Sequence, residues 1–552
     1  MKNKLLTLFF VVTFFVLGAP KAEAVTNGMV KVGLRYGSSA LFSANLENAV
    51  GAGYEFGYFE EDRSFTSLGW TGETTISMTA AGNIYMDGSG AYSPSVPAGG
   101  FRALGEWHVQ IDGFRSFEEA ADRARSEGGW PAWVDWEHVV RVGCYESQGE
   151  AEAEARRYGG RAVRSSSTGV MVTRTKTTDV LFEFDCSGVH ALGVRPSGRE
   201  TSTWFKGYKY GGGFEYPRVT GGNLNVINVV GLEDYVKGVI PYEMGGAWPL
   251  EALEAQAVCA RTFVQGHSKH LRDSGFDVCG GVDCQVYNGH GSGGAGPSET
   301  SDRAVENTAG LCIYYNGTLV QDAVYHSSDG GATEDGANVW GTETGYLKGK
   351  TDPYEAQTSV PNNSYSVTYT AAELSWILDQ KGHSVGTVQD VYVSEYTPLG
   401  NVKQVVFVGT SGTKTFTGDD CRMIFYSSTY QKSVSSMRFD INGRRGGFGG
   451  LSVNGTGQLA SLDGVSVISG SGTVGTLRGN SASAITSSGT VIVSGAVQQP
   501  SGGGSSNGNF VITGTGNGHN VGMSQYGAKA MAELGYSFQE ILNFYYTDIT
   551  IR

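Results

Sequence analysis

The chain has 552 residues and a formal net charge of −14 at pH 7, with 54 acidic and 40 basic side chains. An acidic surface repels phosphate backbones, so the composition disfavours nucleic acid and teichoic acid as partners and leaves neutral or weakly charged glycan compatible. Glycine contributes 83 residues and proline only 13, which favours turn-rich β structure over collagen or a rigid linker. At about 150 residues per domain, the length predicts several domains.

Residues 1–24 have the pattern of a secretory signal peptide. Two lysines precede an almost unbroken apolar run from Leu5 to Leu17, and Ala22-Glu23-Ala24 supplies the small residues of a cleavage site. The apolar run is shorter than the ~20 residues that a membrane span requires. An uncleaved anchor is the alternative. We therefore expect an extracytoplasmic protein, secreted to the cell envelope or cell wall, with no membrane span after signal cleavage.

Residues 25–102 read as a β-rich N-terminal region to which no chemistry can be assigned. Runs such as Val30-Lys31-Val32-Gly33-Leu34 alternate apolar and polar residues in the manner of strands, with Gly-Ser and Asn-Gly turns between such runs.

Residues 103–170 contain an internal repeat with a period of 31 residues. This shift pairs Val109 with Val140, and it pairs Gly128-Gly129 with Gly159-Gly160. Each copy predicts a strand, a helix that starts at a serine, and a Gly-Gly stop. Two copies would build a small sheet with helices on one face. The pattern resembles the SPOR domain, a peptidoglycan-binding module, and a purely structural βαβ pair is the alternative.

From residue 171 onwards strand and helix patterns alternate. Leu224 to Val230 predicts a strand, and apolar residues at helical spacing after Pro249 predict a helix from Leu250 to His270. Residues 437–507 form a stretch rich in Gly, Ser and Val with short strand-like runs, which ends in a flexible linker. Residues 508–552 return to a helical pattern.

Glu243 is the candidate general acid. Its segment reads as a strand that feeds a short helical turn, which projects Glu243 just ahead of a Trp-Pro helix start. A carboxyl group beside Tyr242, Met244 and Trp248 is partly desolvated, which raises its pKa and suits it to proton transfer near neutral pH. The alternative is a favourable partner for a helix N-terminus, which is the more common role for such a glutamate.

Four motifs in order resemble the stage II sporulation protein D family (SpoIID/LytB). They are GLEDYVKGVIPYEM with the following AQAVCARTF (residues 231–244 and 255–263), FDVC with CQVY (276–279 and 284–287), AVENTAG leading to VYHSSDGGAT (304–310 and 324–333), and GHNVGMSQYGA (518–528). Together they span roughly residues 171–552, apart from the Gly/Ser/Val-rich stretch.

The resemblance implies a peptidoglycan lytic transglycosylase. Glu243 would protonate the leaving oxygen of the β-1,4 bond between N-acetylmuramic acid (MurNAc) and N-acetylglucosamine (GlcNAc), in glycan strands stripped of stem peptides. It would then accept the proton of the muramyl 6-hydroxyl as a 1,6-anhydro-MurNAc ring closes. Because the nucleophile is internal, one carboxylate suffices. Some relatives are described as amidase enhancers, so the alternative is a non-catalytic, glycan-binding enhancer of a cell-wall amidase.

The expected fold class is multidomain α+β. The parts are the β-rich N-terminal region (25–102), the SPOR-like peptidoglycan-binding domain (103–170), the SpoIID-type α+β catalytic domain in two pieces (171–436 and 508–552), and a Gly/Ser/Val-rich β insertion and linker (437–507). The expected partners are peptidoglycan glycan strands and, in addition, a cell-wall amidase.

Other residues of the four motifs are candidates for the walls of a glycan groove, because they offer hydrogen bonds to N-acetyl and hydroxyl groups or faces for sugar rings. They are Tyr242, Arg261, Gln285, Tyr287, His326, Ser327, Ser328, His519, Ser524 and Gln525. Structural alternatives stay open for three of them: Arg261 could pair with a buried carboxylate, His326 could be a satisfied structural histidine, and Ser524 could cap a helix.

Cys279 and Cys284 leave zinc, a disulfide and free thiols open. Some members of the family hold zinc with cysteine and histidine in this loop, but Asp283 stands here where those members carry histidine. Outside the cytoplasm a disulfide is at least as reasonable. The seven cysteines are an odd number, so at least one is unpaired in the chain. No cofactor is therefore assigned, and zinc at Cys279 and Cys284 stays an alternative.

Overall fold

The computed structural model describes residues 25–48, 51–198, 202–219, 222–267, 270–293, 296–442 and 508–552, together with short strands between residues 451 and 494. The predicted signal peptide and much of the predicted insertion lie outside the described residues. Within them the chain is a multidomain, mixed α/β protein. None of the helices in these ranges is long and apolar enough to span a membrane.

The first part of the chain is dominated by strands. In chain order the elements are β1 (Met29–Arg35), β2 (Ser43–Glu47), β3 (Tyr54–Phe59), β4 (Phe65–Thr71), β5 (Thr75–Ala80), β6 (Ile84–Met86), β7 (Tyr92–Ser93), β8 (Phe101–Leu104), β9 (Trp107–Phe114), α1 (Phe117–Glu127), β10 (Trp130–Val134), β11 (Glu137–Tyr145), α2 (Gln148–Tyr158), β12 (Arg161–Arg164), β13 (Val170–Arg174), β14 (Val180–Asp185), β15 (Leu192–Pro196), β16 (Ser202–Phe205), β17 (Tyr208–Gly211), β18 (Gly213–Tyr216) and β19 (Val226–Gly231).

The second part contains most of the helices. Its elements are α3 (Leu232–Glu243), α4 (Leu250–Gly266), α5 (Leu271–Ser274), β20 (Val278–Cys279), α6 (Glu299–Asn307), β21 (Ile313–Tyr315), β22 (Thr318–Leu319), β23 (Tyr325–His326), α7 (Gly336–Trp340), β24 (Ser364–Thr370), α8 (Ala371–Gln380), β25 (Val388–Tyr396), β26 (Val402–Gly409), β27 (Gly412–Thr417), α9 (Asp420–Met423), β28 (Phe439–Ile441), β29 (Leu451–Val453), β30 (Gly457–Leu459), β31 (Ser466–Ile468), β32 (Val474–Thr476), β33 (Ser481–Thr486), β34 (Gly489–Ser494), β35 (Asn509–Thr515), β36 (Met523–Ser524), α10 (Gln525–Glu533), α11 (Phe538–Tyr545) and β37 (Ile549–Ile551).

Two large sheets pack face to face in the first part. Their strand orders are β20-β1-β19-β18-β15-β3-β4 and β12-β9-β11-β10-β14-β13-β5-β2-β16-β17. Phe56 of the first sheet stacks on Phe182 of the second, with ring centroids 5.1 Å apart. The predicted alternation in β1 is present, because Val30 and Val32 are fully buried whereas Lys31 reaches Glu215 on the other face (Nζ–Oε2, 2.7 Å). Strand β19, which leads into α3, is thereby held in the middle of a sheet.

The 31-residue repeat folds into the predicted strand–helix–strand copies, β9–α1–β10 and β11–α2–β12. Ser116 and Ser147 each accept a hydrogen bond from the backbone N–H three residues on, and Gly128 and Gly159 end the helices with φ of 70° and 68°. The expected separate small sheet is wrong, because β10 also pairs with β14 and the repeat is one end of the larger sheet. The likeness to a SPOR domain stays a prediction.

Helix α4 is the centre of the second part. All of its residues from Ala252 to Val264 are buried, and α3, α6, α10 and α11 pack around it. A helix that is covered on all sides is typical of the core of a larger domain. The prediction of this helix is confirmed, and the helix ends at Gly266, slightly before the predicted His270.

A smaller unit with its own apolar core covers most of the chain from Tyr365 to Ile441, together with Phe510 and Ile512. Its sheet has the order β24-β35-β28, so β28 still belongs to the body of the protein. The described residues of this unit continue to residue 442, past the predicted boundary at 436, and resume at residue 508.

A buried ion pair holds the loop in front of Cys279. The Arg63 guanidinium donates to both carboxylate oxygens of Asp277 (2.6 and 2.7 Å), and the two side chains are 4% and 0% exposed. Burial raises the pKa of Asp277, and the Arg63 guanidinium opposes that rise.

Replacing Arg63 with Met leaves the Asp277 carboxylate buried without its partner. We expect the free energy of unfolding to fall by about 3–5 kcal/mol, measured by urea denaturation. The control is Arg161→Met, because Arg161 pairs with Asp112 at the surface (side chains 62% and 45% exposed), and such pairs contribute about 0–1 kcal/mol. Equal losses in the two variants would contradict the role assigned to the Arg63–Asp277 pair.

Candidate active site

A cavity of about 950 Å³ opens where the end of α3 meets the loops from the later parts of the chain. Its walls come from seven separate segments of the sequence. The lining residues are Glu243, Phe263, His267, Val282, Asp283, Cys284, Val286, Asp322, Val324, Tyr325, His326, Ser327, Trp340, Thr342, Thr344, Leu347, Arg422, Met423, Asn517, Gly518, His519 and Gln525.

Glu243 is the last residue of α3, a 12-residue helix rather than the short turn that the sequence predicts. Pro241 lies inside this helix. It removes one backbone donor, but its fixed φ is helical, and the Met244 N–H still reaches the Ile240 carbonyl at 2.8 Å. The alternative of a helix N-terminal dipole partner is wrong, because Glu243 lies at the C-terminus of α3, where the macrodipole disfavours a negative charge.

Burial is the main influence on the Glu243 carboxyl group and raises its pKa. The Val286 N–H opposes this rise by donating to Glu243 Oε1 at 2.8 Å, and the side chains of Gln525 and Tyr325 act in the same direction. The approach of Gln525 falls short of a full hydrogen bond, since its Nε2 is buried without a partner among the described residues. Burial outweighs these hydrogen bonds, so the pKa of the carboxyl group stays above its usual value.

Tyr325 is held in place from behind by a chain of hydrogen bonds. Gln285 Nε2 donates to the Tyr325 hydroxyl at 3.2 Å, and Gln285 Oε1 accepts from the Tyr235 hydroxyl at 2.8 Å. Gln285 is only 1% exposed. Gln285 therefore orients Tyr325, which faces Glu243. The contact of Gln285 with substrate stays a prediction.

The loop before β36 places His519 beside His326 in the wall of the cavity. Gly518 has φ 127°, and a Cβ at that position would lie 2.6 Å from His326 Cβ, so only glycine allows this approach. The rings of His326 and His519 have centroids 5.5 Å apart. Burial lowers the pKa of His326 to about 3 and that of His519 to about 4, so both rings are neutral at pH 7.

Five predicted site residues line the cavity together: Glu243, His326, Ser327, His519 and Gln525. His326 Nδ1 meets the Val521 carbonyl at 3.1 Å, whereas its Nε2 is buried without a partner among the described residues. Trp340 and Arg422 also line the cavity, although no motif in the sequence singled them out. Trp340 packs beside His519 with ring centroids 5.0 Å apart.

Tyr242 and Arg261 do not line the cavity, and their assignment to substrate binding stays a prediction. Tyr242 is half-buried near Tyr208. Arg261 is fully buried and donates to both carboxylate oxygens of Glu233 at 2.9 and 2.6 Å. Arg261 therefore has a carboxylate partner, as its alternative held, but the Glu233 side chain is 38% exposed rather than buried.

Three further residues assigned to substrate binding make hydrogen bonds within the protein. The Tyr287 hydroxyl donates to Asn228 Oδ1 at 2.7 Å inside the core. Ser328 is buried, and its N–H donates to the Asn517 carbonyl at 3.1 Å. Ser524 caps α10 by accepting from the Gly527 N–H at 3.1 Å, as the alternative for this residue held.

The cap of α10 rests on a cluster of buried carboxyl groups that sequence reasoning missed. Asp329, Asp352 and Glu355 offer oxygens within 4.8 Å of one another, and the Ser524 hydroxyl donates to Glu355 Oε2 at 2.8 Å. Burial and then the charges of Asp352 and Glu355 raise the pKa of Asp329 well above its usual value. A proton held by Asp329 makes this acidic cluster compatible with burial, and the cluster supports the helix that carries Gln525.

The structure brings together a set of metal-ligating side chains at the edge of the cavity. His270, Cys279, Asp283 and Cys284 offer atoms that all lie within 4.8 Å of one another. His270 Nε2 is 3.4 Å from Cys284 Sγ and 3.6 Å from Asp283 Oδ2. Both cysteines are free thiols, so the structure does not contain the disulfide. Hydrogen bonding from Cys284 lowers the pKa of Cys279 to about 5.

Two sulfur atoms, an imidazole and a carboxylate are a suitable set for a closed, structural zinc site. Asp283, which departs from the zinc pattern of the family, would supply an oxygen ligand in place of an imidazole. His270 comes from a different segment, and its distance in sequence from the two cysteines does not match a known zinc-ligand spacing. A metal ion held there would fix the loop that continues into Val286, whose N–H binds Glu243.

We expect the purified chain to retain one zinc ion, and Cys284→Ser to lose it, because that variant removes a soft ligand from the cluster. Metal content after dialysis, measured by mass spectrometry, gives the result. Cys186→Ser is the control, since Cys186 is a buried thiol outside the cluster. Zinc retained by Cys284→Ser, or absent from the wild-type chain, would refute the assignment.

Residues 220–315, which include α3 and α4, match the family described as Stage II sporulation protein, SpoIID. A Bacillus subtilis (strain 168) protein named Amidase enhancer is 30% identical over 342 residues, which are 57% of this chain and 40% of that protein. Stage II sporulation protein D of the same strain is 25% identical over 335 residues, 59% of this chain and 75% of that protein. An uncharacterized protein of Brachyspira hyodysenteriae is 27% identical over 329 residues, which are 59% of this chain and 68% of that protein.

The fold and the cleft are those of a multidomain, mixed α/β protein that carries a SpoIID domain. Residues 220–315 thus carry a SpoIID domain, and the longer aligned region is similar to proteins named Stage II sporulation protein D and Amidase enhancer. The aligned part spans less than half of the length of the Amidase enhancer protein.

Proposed function

We propose that the chain is a peptidoglycan lytic transglycosylase that cleaves the MurNAc–GlcNAc β-1,4 bond, with peptide-stripped glycan strands as its substrate. The half-buried Glu243 carboxyl group, with its raised pKa, carries the proposal because it lies on the wall of a glycan-sized cavity. The volume of about 950 Å³ lies within the usual range of ligand pockets, about 300–1,000 Å³.

In this reaction the protonated Glu243 gives its proton to the glycosidic oxygen as the bond to the muramyl C1 breaks. The muramyl 6-hydroxyl attacks C1, and its proton passes to the Glu243 carboxylate, so the enzyme returns to its starting state without consuming water. The Val286 N–H orients the carboxyl group throughout, and the neutral His326 and His519 offer hydrogen bonds without adding charge.

Enhancement of a cell-wall amidase by glycan binding is the second candidate, favoured by the name of the Amidase enhancer relative. That role requires the cleft, but it does not require a proton on Glu243. Both candidates place the chain outside the cytoplasm at the cell envelope, in keeping with the predicted signal peptide. An amidase partner would also supply the substrate of the enzyme, since it removes the stem peptides.

Glu243→Gln keeps the shape of the side chain and removes its titratable proton. We expect cleavage of purified peptide-stripped glycan to slow by a factor of about 10²–10⁴. Mass analysis of the products provides the measurement, because 1,6-anhydro products are lighter by one water than hydrolysis products. Glu254→Gln is the matched control, since Glu254 also has a pKa raised by burial but bonds to Asn307 away from the cleft.

Undiminished cleavage by Glu243→Gln would rule out Glu243 as the acid. A wild-type chain that binds glycan tightly without cleaving it would instead support the enhancer role.

The pH dependence of cleavage should report the same carboxyl group. The rate requires the acid form, so it falls as the pH rises through the raised pKa of Glu243. Tyr325→Phe removes a hydrogen bond that lowers this pKa, so the alkaline limb of kcat/KM should move to higher pH. A limb that stays in place, or moves to lower pH, in a folded Tyr325→Phe chain would contradict the arrangement.

A further inference from the structure

The hairpin turn between β10 and β11 has an unusual residue at its tip. Val134 pairs with Glu137, so the turn consists of Asp135 and Trp136, with φ of 44° and 74°. Two residues with positive φ make a turn of type I′, for which Asp-Gly and Asn-Gly are the preferred sequences. A bulky tryptophan is rare in the left-handed region. The turn itself does not require it, because glycine adopts this conformation without strain.

Two other rings pack edge-to-face against the indole of Trp136 and fix its orientation. Tyr58 at the end of β3 and His190 in the loop after β14 meet it nearly at right angles, with centroids 5.9 and 5.3 Å away. Tyr58 and His190 lie 4.3 Å from each other. Three separate segments therefore converge to orient one indole, of which 49% stays exposed.

Polar groups border the exposed indole. Asp135 is exposed and accepts a hydrogen bond from the Ser187 hydroxyl at 2.7 Å. The His190 ring lies beside the indole of Trp136. A flat aromatic face next to a carboxylate and a hydroxyl suits a sugar ring, which presents C–H bonds to the indole and hydroxyl groups to the border. The net charge of −14 disfavours an anionic polymer at the same place.

We propose that Trp136, supported by Tyr58 and His190, stacks on a sugar ring of a glycan strand and forms a second glycan contact. The site is separate from the Glu243 cavity, which none of the three residues lines. Two of its three rings also lie outside the 31-residue repeat, so the repeat alone does not form it. A glycan strand held here raises its local concentration at the cleft.

The turn allows a clean test, because glycine is the preferred residue at the position of Trp136. In the full chain carrying Glu243→Gln, which is expected to slow cleavage, Trp136→Gly should weaken binding of purified peptide-stripped glycan about tenfold in calorimetry. Its thermal midpoint should stay unchanged or rise, since the strained backbone is relieved. Trp136→Leu, which keeps an apolar side chain in the turn, should bind as weakly.

The control is Trp70→Ala, because Trp70 is another exposed tryptophan (58%) that packs beside Phe117 and should leave binding unchanged. Wild-type affinity in either Trp136 variant would overturn the proposal. So would a clear fall in the thermal midpoint of Trp136→Gly, which would assign the indole to packing. The test measures binding alone, so a wild-type chain that fails to cleave glycan would refute the proposed enzyme without affecting this result.

Discussion

The position of the candidate acid depends on an ion pair at the opposite end of its helix. Arg261, fully buried in α4, grips both carboxylate oxygens of Glu233 in the first turn of α3, and it also donates to the carbonyls of Leu311 and Val305. A 12-residue helix is about 18 Å long and stiff. Anchoring its first turn therefore sets where its last residue, Glu243, meets the cavity.

The surroundings of Glu243 are assembled from parts that are distant in sequence. Burial favours the protonated form, whereas the Val286 N–H, Tyr325 and Gln525 favour the carboxylate. These three groups follow the cysteine loop, open β23 and open α10, respectively. The balance exists only after the C-terminal segment has folded back, through the parallel pairing of β23 with β36, onto the domain that carries α3.

Local patterns predicted the repeat, the buried helix α4 and the meeting of Glu243 with the His519 loop, because hydrophobic period, capping residues and ordered motifs are properties of short segments. The same motifs did not predict the buried hydrogen bonds that Gln285, Tyr287 and Arg261 make inside the protein. A motif shows that a residue type is needed, but the direction of its side chain depends on packing between distant elements. Arg422 and His270 were missed for the same reason, since only the tertiary fold carries them to the cavity and to the cysteines.

The chain leaves and rejoins the smaller unit at neighbouring positions of one sheet. The Asn442 N–H donates to the Val511 carbonyl at 2.6 Å, Val511 N–H donates to Asn442 Oδ1 at 2.8 Å, and Ile441 lies opposite Ile512. The residues that flank the stretch 443–507 are therefore held next to each other by hydrogen bonds and strand pairing. The length and composition of that stretch can therefore change, or a foreign sequence can be inserted there, without strain being transmitted to the cavity around Glu243.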